Sequence, residues 1–252
     1  MKRALVTGAS EGIGRAFAIR LAKEGYKVSL VARSESRLKE VLGELKGDSH
    51  KVMPLDLCRK DQTNLLVEHM ENHPYDLLVN NAGSGLFGPF AQLAVEDLMG
   101  MVELNIVALT RLSHGFLKNA RKGDSLINVS SLLGFTSCPS QGVYGATKAY
   151  VTSLTEALWF EQRKKGVFVM ALCPGGTKSR FMERSGMGHI YTPDYVMQDA
   201  SQVVDGCLEH LEKRRSPIIV TGVVNKIMRV FWGLMPRKLN LKMLDLSLQN
   251  HK

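Results

Sequence analysis

Two kinds of apolar pattern alternate along the chain. Short, nearly continuous apolar runs are each followed by longer stretches in which apolar residues recur every three to four positions. The runs RALVTG (Arg3–Gly8), KVSLVAR (Lys27–Arg33), KVMPLDL (Lys51–Leu57), YDLLVNNAG (Tyr75–Gly83), DSLINVSS (Asp124–Ser131), GVFVMALCPGG (Gly166–Gly176) and SPIIVTG (Ser216–Gly222) predict strands. The stretches Ile13–Gly25, Ser34–Gly47, Lys60–His73, Val95–Ala120, Val143–Lys165 and Gln198–Glu212 predict helices. Strands apolar on both sides suit a sheet covered on both faces. Strand–helix alternation through short loops makes that sheet parallel. The expected fold is therefore α/β, a doubly wound parallel sheet of about seven strands with helices on both faces. No internal repeat, low-complexity tract or interdomain linker interrupts the pattern, so residues 1–252 are expected to form one domain.

Composition narrows the function classes. A chain of 252 residues can build one sizeable core. The net charge of +9 invites a polyanionic partner, but the basic residues are scattered. Their small clusters, at Gln162–Gly166, Glu212–Ser216 and Pro236–Lys242, carry little aromatic interleaving, which argues against nucleic acid. Cys58, Cys138, Cys173 and Cys207 lie far apart and form no C-x-x-C pair, so neither a metal site nor a disulfide framework is expected, and a reducing cytoplasm fits. The start, MKRALVTGAS, has too short an apolar run for a signal peptide, and no run of about 18 apolar residues predicts a membrane span.

The first strand–helix junction carries TGASEGIG, Thr7–Gly14. Gly8, Gly12 and Gly14 allow a tight turn and close backbone approach to a pyrophosphate, and the free N–H groups of the following helix supply donors. Ser10, Ile13 and Arg15 belong to the same cradle. At the end of the second strand, where an NAD site needs an acid for the ribose 2′-hydroxyl, stand Ala32 and Arg33. Arg15 adds a second cation. Arginine there suits a 2′-phosphate, hence NADP(H). With each charge-assisted contact worth roughly 1.5–3 kcal/mol, two give roughly a hundredfold preference or more.

VYGATKAY, Val143–Tyr150, sets a tyrosine and a lysine four residues apart. On a helix Tyr144 and Lys148 share one face, about 6 Å apart along the axis. An ammonium held there could acidify the phenol enough to make it a proton donor near neutral pH.

TGASEGIG, NNAG (Asn80–Gly83), NVSS (Asn128–Ser131), YGATK (Tyr144–Lys148) and PGG (Pro174–Gly176) occur in the order and spacing of the single-domain short-chain dehydrogenase/reductases, which the chain resembles over about residues 1–222. Within that family it looks most like the ketoacyl- and hydroxysteroid-type reductases. The resemblance implies a Rossmann-type fold and hydride transfer between NADP(H) and a carbonyl or secondary alcohol. It implies Tyr144 as general acid, Lys148 on the nicotinamide ribose, Ser131 on the substrate oxygen, and Asn105 anchoring a water that relays protons to Lys148. It assigns Asp56 and Leu57 to the adenine, and Asn80, Ala82 and Gly83 to the floor beneath the adenine ribose. Pro174 and Gly175 would start the loop over the nicotinamide, with Thr177 and Ser179 on its carboxamide or the phosphates. Here the chain departs from the family, which has an aliphatic residue at the place of Thr177 and threonine at that of Ser179. Ser130 is expected to point away from Ser131. A homodimer or homotetramer through Val95–Ala120 and Val143–Lys165 is also implied.

The Asn128-Val129-Ser130 sequon falls in an expected buried strand, and His114 and His189 have no clustered partners, so none of these is read as a site. The loop Phe181–Tyr195 is expected to shape the substrate pocket; its Met, Ile and Tyr residues suit an apolar ketone or a 3-oxoacyl group. Residues 223–252 extend past the family's compact members. Val224, Ile227, Met228, Phe231, Leu234 and Met235 form a helical apolar stripe flanked by Lys226, Arg229, Arg237 and Lys238. The stripe fits packing on the protein's own core, a subunit interface, or peripheral contact with a membrane. The rival function is a non-catalytic NADP(H)-binding regulator or redox sensor, which would have no need of the Ser131–Tyr144–Lys148 set. A sugar-nucleotide epimerase or dehydratase would need a larger C-terminal domain.

Overall fold

The computed structural model describes residues 1–186 and 196–249. Seven parallel strands form the main sheet in the order β3-β2-β1-β4-β5-β6-β9. They are β1 (Arg3–Thr7), β2 (Lys27–Ala32), β3 (Lys51–Pro54), β4 (Leu77–Asn80), β5 (Ser125–Val129), β6 (Phe168–Cys173) and β9 (Ile218–Val220). A separate two-stranded ribbon joins β7 (Thr177–Lys178) to β8 (Gln198–Asp199). The strand order reverses between β1 and β4, which opens a crevice at their C-terminal ends, where ligands bind in such sheets.

Side-chain alternation along β1 builds both layers. Ala4 and Val6 face a core closed by Phe17 and Leu21 of α1 (Gly12–Lys23), Leu38 and Val41 of α2 (Glu35–Glu44), and Val203 and Cys207 of α8 (Ala200–Lys213). Leu5 faces the opposite core, with Leu66 and Met70 of α3 (Lys60–Asn72) and Leu112 and Phe116 of α5 (Leu109–Asn119). This period of two explains why the strands read as unbroken apolar runs.

The helix expected over Val95–Ala120 is interrupted. It runs as α4 (Val95–Val102), a π-helical segment Glu103–Ala108, and α5. Such π segments accompany functional sites, and Asn105 lies within this one. The long helix after β5 is α6 (Gly142–Gln162), closed by a 3₁₀ turn and by Gly166 in the left-handed region at φ 74°. The short helix α7 (Arg180–Arg184) follows β7. Beyond β9 come α9 (Val223–Leu234) and α10 (Arg237–Gln249). Most of the expected substrate loop, and His189 with it, lies outside the described residues. Among the described residues no helix is long and apolar enough to cross a membrane, and none of their His, Cys, Asp and Glu side chains group as a metal site.

Candidate active site

The turn after β1 is compressed by what surrounds it. Gly8 and Gly12 have φ of 64° and 55°, a region unfavourable to residues with a Cβ. A Cβ on Gly14 would stand 2.2 Å from the Gly8 carbonyl oxygen. Asn81 holds the turn: its Nδ2 donates to the carbonyls of Thr7 (2.9 Å) and Gly8 (3.2 Å). The Thr7 hydroxyl accepts from the N–H groups of Asn81 and Ala82 at 2.9 and 3.0 Å. The NNAG segment thus fixes the glycine loop from behind, leaving the N–H groups at the start of α1 for an anion. These residues fit a dinucleotide.

The structure redirects Asn80. Its side chain is buried and donates to Ser113 Oγ and Asn128 Oδ1, both at 3.0 Å, within a network that Asn128 Nδ2 extends to Thr155. Asn80 therefore ties β4 to β5 and α5 rather than lining the adenine ribose. The neighbour that grips the cofactor loop is Asn81, which the sequence motif contained but did not single out. Asp56 caps its own turn, accepting from the Cys58 N–H at 3.1 Å, and Leu57 is buried.

Ser131, Tyr144 and Lys148 converge at the C-terminal end of β5 and the first turns of α6, all three buried. Ser131 stands beside the Tyr144 phenol, close enough to work against the rise that burial causes there, and its Oγ accepts from the Leu133 N–H at 3.2 Å. Its own hydrogen is thereby left to donate toward an oxygen at this point. Ser130 turns the other way, to the Lys148 carbonyl and Thr152 at 2.8 and 2.7 Å. The Lys148 Nζ donates to the Val129 carbonyl at 2.8 Å and lies 5.7 Å from the Tyr144 ring centre. A Cβ on Gly83 would come within 3.5 Å of that Nζ and 3.2 Å of Asn105 Oδ1, so glycine here leaves room that a side chain would narrow.

Electrostatics correct a simple expectation. Burial pushes the Tyr144 phenol up to about 12, opposed by the Ser131 hydrogen bond, and pushes Lys148 down to about 8. Desolvation thus outweighs the ammonium in this state. The phenol is held protonated rather than acidified, ready to donate to an oxygen that gains negative charge. Asn105 is held firmly by its neighbours. Both amide hydrogens are spent, on the Ser84 carbonyl (2.9 Å) and Thr147 Oγ1 (3.1 Å), while Oδ1 accepts from the Ser84 N–H (3.0 Å). Its side chain clamps the loop after Gly83 to α6.

The walls around Tyr144 are apolar: Leu98 and Met101 of α4, with Leu86, Leu93, Leu133 and Phe181 packed against them. The Phe181 ring stands 5.7 Å from that of Tyr144. Below them, Ser179 approaches the glycine loop, since a Cβ on Gly12 would meet Ser179 Cβ at 3.3 Å. Thr177 is buried, with its hydroxyl on the Gly175 carbonyl at 3.2 Å. Asn225, from the first turn of α9, fills the niche that Gly175 leaves: a Cβ on Gly175 would lie 2.3 Å from Asn225 Oδ1. Its Nδ2 donates to the Thr221 carbonyl at 2.9 Å, while the buried Oδ1 has no hydrogen-bond partner among the described residues. The C-terminal extension therefore touches the loop that follows β6, a contact no spacing in the sequence announced.

At the other end lies a cleft of about 780 Å³, lined among others by Ser10, Arg15, Arg37 and Ser179. Arg15 is ion-paired with Glu44, its Nε 3.2 Å from the carboxylate. Arg37 lies 3.5 Å from Glu11, which also pairs with Arg184. Arg33 is exposed and forms no ion pair with any described residue. Of the two arginines expected to read a 2′-phosphate, one is free and one is engaged; Arg37, within SESR, is a third that the reading passed over.

The family model described as short chain dehydrogenase matches residues 2–188. A 7beta-hydroxysteroid dehydrogenase of Mediterraneibacter gnavus is 33% identical over 230 residues, 88% of this chain and 86% of that protein. A solved structure titled for 7beta-hydroxysteroid dehydrogenase stereoselectivity superposes with a TM-score of 0.85 at 25% identity, covering 97% of this chain and 96% of its own. A short-chain dehydrogenase from Sphingobium yanoikuyae in complex with NADPH gives a TM-score of 0.82 at 26% identity, covering 94% and 97%. With this fold, these converging side chains and these matches, the chain belongs to the short chain dehydrogenase family and is a nicotinamide-dependent oxidoreductase acting on CH–OH and C=O groups.

Proposed function

We propose that the protein is an NADP(H)-dependent reductase of an apolar ketone or 3-oxoacyl compound. The observation that carries this reading is the phenol of Tyr144, buried, kept protonated and walled by Leu98, Met101, Leu133 and Phe181. Such a wall gains from burying substrate hydrocarbon, about 25 cal/mol per Å², and it offers no charge to a polar head group. When bound, NADP(H) supplies or accepts the hydride.

The chain's own residues handle the oxygen and its proton. Ser131 donates to the carbonyl oxygen. Tyr144 delivers its proton to that oxygen as negative charge develops there, a transfer made favourable because an alkoxide is far more basic than a phenolate. Lys148, still cationic at neutral pH, stabilises the resulting phenolate and has two further N–H donors for ribose hydroxyls. Asn105 keeps Gly83 and Ser84 against α6, which preserves the gap that Lys148 needs. Gly8, Ser10, Gly12, Ile13 and Gly14 would hold the pyrophosphate, and Arg15, Arg33 and Arg37 the 2′-phosphate. Ala82, Asp56 and Leu57 would border the adenosine, with Pro174, Gly175, Thr177 and Ser179 on the nicotinamide side.

On the same reading residues 1–252 are one catalytic unit in a cytoplasmic homodimer or homotetramer. Val95 and Met99 of α4 and Tyr150 and Phe160 of α6 are exposed apolar residues on the helices that would pair. The test follows NADPH oxidation with an acetoacetyl thioester, a steroid ketone, a vicinal diketone and simple aldehydes, with NADH in parallel. Turnover of apolar ketones with NADPH supports the proposal. NADPH binding without turnover of any of them, or turnover restricted to small polar aldehydes, would overturn it.

A further inference from the structure

We infer that α9 is a docking surface for an anionic membrane, with its outer face lying in the headgroup region. The helix has two faces of different fate. Asn225 and Trp232 are buried, and Trp232 packs with Ile218 and Val220 of β9 and Leu132 of the turn after Ser131. On the helical wheel these two lie opposite Val223, Ile227, Val230, Phe231 and Leu234, which fall within an arc of about 100°. All five are exposed: Leu234 at 83%, Val223 at 72%, Ile227 at 64%, Val230 at 61% and Phe231 at 50%. The stripe legible in the sequence therefore divides, with Met228 turned toward the core and Ile227, Phe231 and Leu234 turned out. In α10, Leu239 and Leu246 are exposed as well.

Charge selects the occupant. Over residues 223–249 the chain carries Lys226, Arg229, Arg237, Lys238 and Lys242 against the single acid Asp245. Lys226, Arg237, Lys238 and Lys242 are exposed, and on the wheel Lys226 borders the apolar arc. An apolar arc edged by Lys226 and followed by Arg237 and Lys238 at the start of α10 matches lipid on one side and phosphate headgroups on the other, the arrangement of helices that lie in the plane of a membrane surface. A second copy of this chain is a poorer fit. A two-fold contact through the same face would bring basic residues of one copy against basic residues of the other, since Asp245 is the one acid within 223–249. The helices proposed above for subunit pairing, α4 to α6, are different ones. Because Trp232 fastens α9 beside the turn that carries Ser131, the docked protein would hold its active site close to the lipid surface, within reach of apolar substrates dissolved there. The docking itself does not depend on which ketone is reduced.

The experiment uses the full chain in vesicle cosedimentation. Vesicles of phosphatidylcholine mixed with phosphatidylglycerol are compared with phosphatidylcholine alone. Two variants accompany the wild type: Ile227→Ser/Phe231→Ser/Leu234→Ser, and Lys226→Gln/Arg237→Gln/Lys238→Gln. All substituted side chains but the half-exposed Phe231 are largely solvent-facing, and NADPH binding checks that each variant is folded. Oligomeric state is measured alongside by light scattering. The expected result is binding to the anionic vesicles at least about tenfold stronger than to the neutral ones, lost in the serine variant and reduced to the neutral level in the glutamine variant. Wild-type protein that stays in solution, or a serine variant that binds as well as wild type, overturns the inference. A serine variant that changes oligomeric state with no change in vesicle binding overturns it too, and makes α9 a subunit contact.

Discussion

On the proposed reading, the cofactor crevice has a nicotinamide end and an adenosine phosphate end, and the two are built on opposite principles. At the nicotinamide end Ser131, Tyr144 and Lys148 are buried, close together and joined to backbone groups. At the adenosine phosphate end Arg15, Arg33 and Arg37 are exposed and joined, where they are joined at all, to other charged side chains. Burial makes the first end strong and slow to adapt, because a group out of water has its pKa and its partners fixed by what surrounds it. Exposure makes the second end weak per contact and easily re-paired. An exposed ion pair is worth about 0–1 kcal/mol, whereas an arginine on a phosphate contributes roughly 1.5–3 kcal/mol. If NADP(H) is the cofactor, as proposed, the Arg15–Glu44 pair should yield to its 2′-phosphate.

The largest effect expected from this contrast is at the buried end. Tyr144→Phe removes the buried phenol beside Ser131, and kcat/KM for ketone reduction should fall about 10²–10⁴-fold. NADPH affinity, followed by the nicotinamide fluorescence, should change little, since the lost atom serves the substrate oxygen. Equal losses in kcat/KM and in NADPH affinity would mean that the site had collapsed, and would erase the distinction between the two ends.

Next in size is the free cation of the exposed end. Arg33→Ala should lower the preference for NADPH over NADH by roughly 10–100-fold, the value of one charge-assisted contact. The loss should come from the NADPH side, with NADH constants almost unmoved. An unchanged ratio would transfer the 2′-phosphate to Arg15 and Arg37.

Lysine 148 allows a sharper test, because its burial predicts two pH trends of opposite sign. Desolvation lowers it from 10.5 to about 8. Below pH 8 it is a cation and stabilises the phenolate. Above pH 8 it loses that charge, and kcat/KM, which reports the free enzyme, should fall about tenfold per pH unit. Lys148→Arg should remove that limb, since guanidinium keeps its proton. Stability runs the other way. Between about 8 and 10.5 the unfolded chain binds the proton that the folded chain has released, so this group's contribution to stability rises with pH across that window. Thermal unfolding from pH 8 to 10, wild type against Lys148→Met, isolates the contribution. A kcat/KM limb at pH 10 or higher would mean that the lysine is not desolvated.

The same contrast explains what the sequence made legible. The placement of strands and helices and the set Ser131, Tyr144 and Lys148 follow from apolar period and from motif spacing, because burial constrains both. Ser130 and Ser131 diverge because adjacent strand residues point to opposite faces. The misses are of two kinds. Asn80 and Asn81 were separable only by knowing that Asn80 faces Asn128 across the β4–β5 pair, which is a tertiary fact. Asn105 sits in a π segment, and its bond to Thr147 of α6 is likewise a tertiary fact. Asn225 reaches Gly175 over 50 positions of sequence, and no local pattern encodes that contact. At the exposed end the residue types were evident and their pairing was not, since Glu44 reaches Arg15 from the far end of α2 and Arg184 reaches Glu11 from beyond β7.

The smallest effect is the most specific to that pairing. Glu44→Gln frees Arg15 without removing a cation or altering a buried group. If the pair competes with the phosphate, its loss should strengthen NADPH binding by about fivefold or less, the upper range of an exposed ion pair. NADH, which lacks the 2′-phosphate, should be unaffected. Because the competition is between surface charges, the gain should shrink as salt rises and the Debye length falls from about 10 Å at 0.1 M to about 3 Å at 1 M. A gain that appears equally with NADH, or that persists at high salt, would show Glu44 acting through the shape of α2 instead. The exposed end would then be built on packing like the buried one, and the difference between the two ends would be one of degree.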